Sequence, residues 1–168
     1  AKGHQVTLIT TPTALKPQPH PQLKLLVINN VKDLLTQMQK EVPHHQVLIH
    51  AMAVSDYSPV YMTGLDEVEK APDLHGFLQQ KNKETKISSK EEDQVLFLKK
   101  NPKIISLVKE WNPAIQLIGF KLLVAVSSEE LIQVARESLV KNHASMIVAN
   151  DLTKIQDGHH QAYLVTDD

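Results

Sequence analysis

The stretch VLIHAMAVSDY at residues 47–57 decides the fold of this chain. Its first residues, Val47 to Ile49, form an apolar strand that runs directly into small residues and reaches an acid, Asp56. In an open α/β sheet, ligands bind where strands end, because a turn of small residues lets the backbone approach a ligand and an acid can project toward it. The stretch therefore predicts a buried strand followed by a ligand-binding loop.

Strand-like and helix-like segments alternate around this stretch. Aliphatic and β-branched runs predict strands, and apolar residues at spacings of three and four predict helices after Asn30, after the Asn101-Pro102 pair and after Ser127. Such alternation implies parallel strands joined by right-handed crossovers. The predicted class is α/β, a Rossmann-like, open and mostly parallel sheet with helices on both faces. The strand-like runs are residues 5–10, 46–50, 116–121, 146–149 and 162–165, and a short apolar run covers residues 24–28.

One polar region, at about residues 61–100, interrupts the single domain predicted for residues 1–168. Within it, residues 84–89 and 94–99 are joined by a charged turn, which predicts a hairpin that stands off the sheet. Insertions of this length serve as lids, binding loops or oligomerisation arms. The simpler alternative is a surface excursion without a function.

Composition excludes several classes of protein. The net charge of -1 does not support a surface for nucleic acid. The chain has no cysteine, which excludes disulfides, a thiol nucleophile and a zinc-thiolate site. No apolar run approaches the roughly 20 residues that span a bilayer, so we expect a cytoplasmic protein without a membrane partner.

Common catalytic motifs are missing from the sequence. There is no G-x-G-x-x-G fingerprint and no phosphate-binding P-loop, so a nicotinamide oxidoreductase is unsupported. There is no G-x-S-x-G elbow, which excludes an α/β-hydrolase. The nine histidines include two adjacent pairs but no H-E-x-x-H, and they do not predict a structural metal site.

Five short motifs follow one another along the chain: IHAMAVSDY at residues 49–57, KISS at 86–89, NPKII at 101–105, GFK at 119–121 and VAND at 148–151. In this order they closely resemble phosphopantothenoylcysteine synthetase, the nucleotide-dependent ligase of coenzyme A biosynthesis. The resemblance implies that the carboxylate of phosphopantothenate is activated as an acyl nucleotide, with CTP favoured over ATP and with Mg²⁺ accompanying the nucleotide. The acyl group then passes to the amine of cysteine, and pyrophosphate and CMP are released. It further implies a homodimer of a stand-alone synthetase in which no flavin is expected.

The resemblance also assigns residues to roles. It makes Lys86 the catalytic cation of a flap over the triphosphate, although the family's Lys-x-Lys-Lys reads KISS here, as in its shorter monofunctional and eukaryotic-like branch. Glu137 stands where many members place a lysine that would accompany Lys141, and Arg136 is a candidate substitute. The metal ligands stay open. The implied nucleotide and substrate contacts are His50, Ala51, Met52, Ala53, Asp56, Pro102, Lys103, Ile104, Ile105, Phe120 and Lys141.

Each assignment has a structural alternative. The residues after His50 could form a tight turn, Asp56 could cap a turn, Lys86 could be a solvated charge and Phe120 could be an ordinary core residue. Residues 1–10 match the family's second strand, so its first strand and its Gly/Ser-rich loop are not in the given chain. The second hypothesis is therefore a non-catalytic binding or regulatory relative that keeps the fold but lacks that substrate loop.

Overall fold

A computed structural model describes residues 3–82, 91–156 and 158–168. These residues form two compact units, one of Ala1–Ala53 with Lys103–Asp168 and one of Val54–Pro102. The second unit contains the insertion expected at residues 61–100. In chain order the elements are β1 (Val6–Thr10), β2 (Leu23–Val27), α1 (Val31–Glu41), β3 (Val47–His50), β4 (Tyr57–Gly64), α2 (Leu65–Lys70), β5 (Gln94–Lys100), α3 (Ile104–Trp111), β6 (Gln116–Leu123), α4 (Ser128–Asn142), β7 (Met146–Gln156) and β8 (His159–Val165).

Parallel pairing dominates the first unit. A four-stranded sheet has the order β3-β6-β7-β8, in which β3, β6 and β7 are parallel and β8 is antiparallel to β7. A separate two-stranded sheet pairs β1 with β2 in parallel. The open, mostly parallel α/β class predicted from the alternation is confirmed.

Side-chain caps begin two of the helices where the sequence predicted them. The side chain of Asn30 accepts the N–H of Asp33 at 2.9 Å and begins α1. The side chain of Ser127 accepts the N–H of Glu130 at 3.1 Å and begins α4. Each contact satisfies an N–H that has no partner inside the helix.

Helices α1, α3 and α4 of the first unit pack together against one face of its sheets. Helix α3 packs against both α1 and α4, and Tyr163 and Ser128 tie β8 to the start of α4 through a 2.8 Å contact. Leu117 and Ile147 are buried on this helix-covered face. Ile49 on the opposite face is 62% exposed. Alternating apolar segments predict strands and helices, but they do not predict which face of a sheet a helix covers.

The second unit is built on an antiparallel pair, β4 with β5. Phe77, from a 3-10 helix at His75–Gln79, stacks between Tyr61 and Phe97 with ring-centroid distances of 5.9 and 4.9 Å. The first strand of the predicted hairpin, at residues 84–89, lies outside the described residues. The partner observed for β5 is β4, which the sequence pattern did not indicate because Pro59 and a register shift break its alternation.

No helix in the described part of the chain is long and apolar enough to cross a membrane.

Candidate functional site

The carboxyl ends of β3, β6 and β7 meet at one edge of the four-stranded sheet, because these three strands are parallel. His50, the last residue of β3, lies opposite Gly119 of β6, and Leu123 at the end of β6 lies opposite Asp151. The chain continues from His50 into irregular backbone at residues 51–53. This is the edge at which open α/β sheets bind ligands.

His50 and the small residues after it line this edge. Ala51 and Ala53 are exposed and Met52 is half-buried, so the backbone here is accessible to a ligand. Burial lowers the pKa of the His50 imidazole from its ordinary value. At neutral pH the side chain is therefore an uncharged imidazole that can donate one hydrogen bond and accept another.

Gly119 allows α3 to pack closely on the sheet. A Cβ at this position would lie 2.8 Å from Cδ1 of Ile147 and 3.1 Å from Cδ1 of Ile105. These separations are shorter than carbon–carbon contact, so a side chain here would require the ends of the Ile147 and Ile105 side chains to shift. The glycine of the GFK motif thus has a structural role that the sequence reasoning did not assign.

The first turn of α3 is suited to an anion. It contains no acidic residue and has no side-chain cap, and the exposed Lys103 directly precedes it. The unsatisfied N–H groups and the helix dipole make such a terminus locally positive. Ile104 is buried and Ile105 is half-buried, so these two predicted contact residues anchor the helix and can meet a ligand only through their backbone.

Asp151, within β7, holds the backbone that follows the end of β6. Its carboxylate accepts the N–H of Thr153 at 2.9 Å, the hydroxyl of Thr153 at 2.8 Å, and the N–H groups of Ala125 at 3.0 Å and Val126 at 3.2 Å. Led by the Thr153 N–H, these hydrogen bonds lower the pKa of Asp151 to about 2, against the opposing effect of burial. The VAND motif contained this residue, but nothing local revealed that two of its partners, Ala125 and Val126, lie 26 and 25 residues away.

A polar cluster lies beside the start of α4. The hydroxyl groups of Ser128 and Tyr163 are 2.8 Å apart, and the Nζ of Lys154 lies 3.5 Å from the Ser128 Oγ. The sequence reasoning did not assign these residues, because β7 was predicted to end at residue 149 and the strand continues to Gln156.

Two predicted contacts of the first unit are separated from His50, Phe120 because it lies on the opposite face of the sheet and Lys141 because it lies at the opposite edge. Phe120 is 43% exposed and, being adjacent to Gly119 in β6, points to the face opposite the helices. Lys141 is exposed in the last turn of α4, which leads into the start of β7. It therefore lies toward the amino ends of the strands, at the edge opposite His50.

In the second unit, hydrogen bonds of Asn101 connect the two ends of the segment Val54–Pro102. Its N–H donates to the carbonyl of Asp56 at 2.8 Å, its Nδ2 donates to the carbonyl of Ser55 at 2.9 Å, and its Oδ1 accepts the Ser58 hydroxyl at 2.8 Å. This arrangement fixes the backbone beside Asp56 and Pro102, whose side chains are exposed. Asn101 was quoted only as a helix-start signal, and its role in closing this unit was missed.

Lys86, the predicted catalytic cation, lies outside the described residues. Within the described ranges, no group of three or more His, Asp or Glu side chains could hold a metal ion. Mg²⁺ that arrives on a nucleotide needs only one or two protein ligands besides the phosphates, so this donor set is compatible with a metal that enters with its substrate.

Sequence comparison relates the chain to coenzyme A biosynthesis. The family model described as the DNA/pantothenate metabolism flavoprotein C-terminal domain matches residues 1–72 and 74–167. The coenzyme A biosynthesis bifunctional protein CoaBC of Thermococcus kodakarensis is 30% identical over 166 residues, which are 98% of this chain and 35% of that protein. The chain thus spans about a third of the length of this curated relative.

Solved structures agree with this relationship. The crystal structure of the DNA/pantothenate metabolism flavoprotein from Streptococcus pneumoniae is 60% identical, with a TM-score of 0.90 over 99% of this chain and 72% of that chain. The C-terminal domain of the coenzyme A biosynthesis bifunctional protein CoaBC is 20% identical, with a TM-score of 0.64 over 98% of this chain and 61% of that chain. At that identity the second structure shows a shared fold.

Proposed function

Because the chain belongs to the family of the DNA/pantothenate metabolism flavoprotein C-terminal domain, we propose that it carries the phosphopantothenate–cysteine ligase activity of coenzyme A biosynthesis. The family match, the relative named for coenzyme A biosynthesis and the motifs between residues 49 and 151 support this proposal. Since the chain spans about a third of that relative, the activity is proposed for the polypeptide that contains this region.

The observation that carries the proposal is the arrangement at the carboxyl edge of the sheet. The accessible backbone of residues 51–53 follows β3, and the uncapped start of α3 with Lys103 belongs to the same unit. A ligase that activates a carboxylate must hold two anions, the acid and the nucleotide phosphates, and must offset the charge that develops between them. Helix N–H groups and a lysine supply that environment.

The chemistry proceeds in two balanced steps. A carboxylate oxygen of phosphopantothenate attacks the α-phosphorus of the nucleotide, and the bond to the β-phosphate breaks to release pyrophosphate. The amine of cysteine then attacks the acyl carbon, loses a proton and expels the nucleoside monophosphate with the bonding electrons. A phosphate leaving group turns a poor electrophile into a good one, and no protein nucleophile is needed.

The remaining residues receive roles within this scheme. Lys86 is proposed to close over the triphosphate, and Asp56 and Pro102 are proposed to contact the nucleotide. His50 is proposed as an uncharged polar contact to the acyl group. We retain Phe120 and Lys141 as contacts to the base and to the nucleotide, and their positions on the open face and at the opposite edge make them the most demanding part of the proposal.

We further propose CTP as the nucleotide, with ATP as the alternative, Mg²⁺ as its counter-ion and a homodimer as the active assembly. The test is pyrophosphate release by the purified protein with phosphopantothenate, Mg²⁺ and either CTP or ATP, with and without cysteine. We expect one equivalent of pyrophosphate per active site without cysteine, and continuous turnover when cysteine is added. Pyrophosphate release that strictly requires cysteine, with no bound acyl nucleotide, would contradict the two-step scheme.

The competing proposal is a binding or regulatory relative without catalysis. A protein of this kind would bind CTP or phosphopantothenate in calorimetry and release no pyrophosphate under any of these conditions.

A further inference from the structure

A buried asparagine joins helices α3 and α4 of the first unit. Asn142, the last residue of α4, is 5% exposed. Its Oδ1 accepts the hydroxyl of Ser106, in the first turn of α3, at 2.8 Å. Its Nδ2 donates to the carbonyl of Ser138 at 2.8 Å and to the Ser138 hydroxyl at 3.2 Å. The amide group therefore has one partner on α3 and two on its own helix.

Folding stability alone does not require a polar pair between these helices. Burial removes an amide and a hydroxyl from water, and the hydrogen bond between them recovers little more than that loss. Apolar side chains of the same shape would pack there about as well. The polar pair adds direction, because a hydrogen bond weakens steeply when its angle changes, whereas apolar contact is non-directional. The Ser106–Asn142 hydrogen bond therefore limits how far α3 can slide or turn on α4.

Helix α3 is short and depends on its neighbours for its position. It has 8 residues, fewer than the roughly 12 that make an isolated helix stable in water. Ile104 and Val108 are buried and lie four residues apart, so they anchor one face of the helix. This apolar pair selects the face that packs, but it does not fix the position of the helix along its axis.

The first turn of α3 is the part of the helix that is proposed to meet the nucleotide. Its N–H groups have no partner inside the helix, and Ser106 carries the one polar side chain among residues 104–106. Ile105 packs toward Gly119 of the sheet, which sets the distance between the helix and the sheet. The bond from Ser106 to Asn142 sets the position along the sheet. Such positions matter, because a misplacement of about 1 Å can lower activity about 10²-fold.

Asn142 belongs to a firmly closed helix end. His143 follows it with a φ of 49°, and its N–H donates to the carbonyl of Val140 at 3.2 Å. The N–H of Ala144 donates to the carbonyl of Leu139 at 3.0 Å. These bonds satisfy the last carbonyls of α4, and Leu139 is buried below them. The end of α4 is thus the fixed element, and the first turn of α3 is positioned against it.

We propose that Asn142 is a positioning residue for the nucleotide. Through Ser106 it sets the register of α3 on α4, and with it the place where the first turn of α3 presents its N–H groups to the nucleotide phosphates. The polar atoms of Asn142 are themselves bonded to the two helices. This inference rests on the proposed function, which makes the start of α3 a nucleotide contact.

The test removes both partners of the hydrogen bond at once. In the double variant Ser106→Ala, Asn142→Leu, apolar side chains replace the polar pair, so the midpoint of urea unfolding should stay within about 10% of the wild-type value. Calorimetry on the purified protein should show a Kd for CTP that is raised about tenfold or more, because the N–H groups are displaced. The Kd for phosphopantothenate, which is proposed to contact His50 and the residues after it, should change less than about twofold. Unchanged CTP binding, or equal weakening of both ligands, would overturn the positioning role.

Single variants separate the hydrogen bond from the packing around it. Ser106→Thr keeps the hydroxyl and should bind CTP as the wild type does, whereas Ser106→Ala should weaken CTP binding. Ser138→Ala is the matched control, because it removes a partner of Asn142 on α4 and leaves the bond to α3 in place. Its Kd for CTP should stay within about twofold of the wild-type value. A loss in Ser138→Ala or Ser106→Thr as large as that in Ser106→Ala would show that packing is responsible, and the proposal would be wrong.

The same titrations distinguish this inference from the ligase proposal. Wild-type protein that binds CTP or ATP but releases no pyrophosphate would contradict the ligase, and the variants would still report the role of Asn142. Wild-type protein that turns over normally, together with a double variant that binds the nucleotide equally well, would contradict only the role of Asn142. Wild-type protein that binds neither nucleotide would overturn both proposals.

Discussion

The carboxylate of Asp151 accepts the backbone N–H of Ala125 at 3.0 Å, and Ala125 is a non-glycine residue with a φ of 55°. A left-handed conformation costs an alanine roughly 1–2 kcal/mol. The contact offsets part of that cost and fixes the turn between β6 and α4. The turn after the carboxyl end of β6 is therefore held by an acid within β7.

Replacing Asp151 with asparagine should destabilise the fold, because the amide group of asparagine turns a donor toward the N–H groups that the carboxylate accepts. The folded-state pKa of Asp151 is depressed to about 2, so its contribution is full above pH ~4 and disappears as the pH falls through 2. Urea unfolding at pH 7, 4 and 2 should show a difference between wild type and Asp151→Asn that shrinks with pH. The exposed Asp167→Asn is the control, and an equal effect of both variants would contradict the clamp.

Burial should keep His50 uncharged at neutral pH. Because its folded pKa is lowered from about 6.5, the unfolded chain binds more protons, and this residue lowers stability as the pH falls from 6.5 through the folded pKa. An NMR titration of the ring protons should give a pKa below 6.5, and loss of the signal in His50→Gln assigns it. A His50 pKa at or above 6.5 would show that the site is more hydrated than the structure indicates.

Phe77 should carry most of the apolar stability of the second unit, since it is 5% exposed and stacks on two rings. Phe77→Ala should cost about 3–5 kcal/mol, while Phe120→Ala, at a 43% exposed position, should cost about 1 kcal/mol. Hydrogen exchange of the β5 amides reports the first loss, and fluorescence of the single tryptophan, Trp111, reports unfolding of the other unit. Similar losses for both variants would contradict the stacked core.

The predictions that succeeded rest on local physics. Asn30 and Ser127 begin helices because each side chain reaches an N–H three residues later, and that distance is readable from sequence. The pairing of β4 with β5 places Tyr57 opposite Lys100. Residues so far apart in the chain leave no local sequence pattern that predicts their pairing. The hydrogen bonds from Ala125 and Val126 to Asp151 were missed for the same reason.

Lys86→Gln should lower turnover at least tenfold if Lys86 binds the triphosphate, since a charge-assisted contact is worth about 1.5–3 kcal/mol. Lys81→Gln, at an exposed lysine five residues earlier, is the matched control and should leave turnover within twofold. Both substitutions should change the free energy of unfolding by less than about 0.5 kcal/mol, as is usual for surface residues. Unchanged pyrophosphate release by Lys86→Gln would remove this residue from the active site.

The outer face of β5 is the surface that we propose for the homodimer contact. Leu96 and Leu98 are 48% and 47% exposed and alternate with Val95 and Phe97, which are half-buried. If this face pairs with its copy across a two-fold axis, each leucine is buried twice. Changing both to lysine would remove four half-exposed leucines from the interface, about 1 kcal/mol each, and would weaken dimerisation about 10³-fold.

Sedimentation at micromolar concentration should therefore show a dimer for the wild type and a monomer for the Leu96→Lys, Leu98→Lys variant. Lys100→Gln, at the end of the same strand, removes a charge without removing apolar area and should leave the dimer intact. Leu96 and Leu98 are exposed in the wild type. Replacing them should therefore leave the stacking of Phe77 intact and the second unit folded. A wild-type monomer at tens of micromolar, or a dimer that survives both leucine substitutions, would place the assembly surface elsewhere on the molecule.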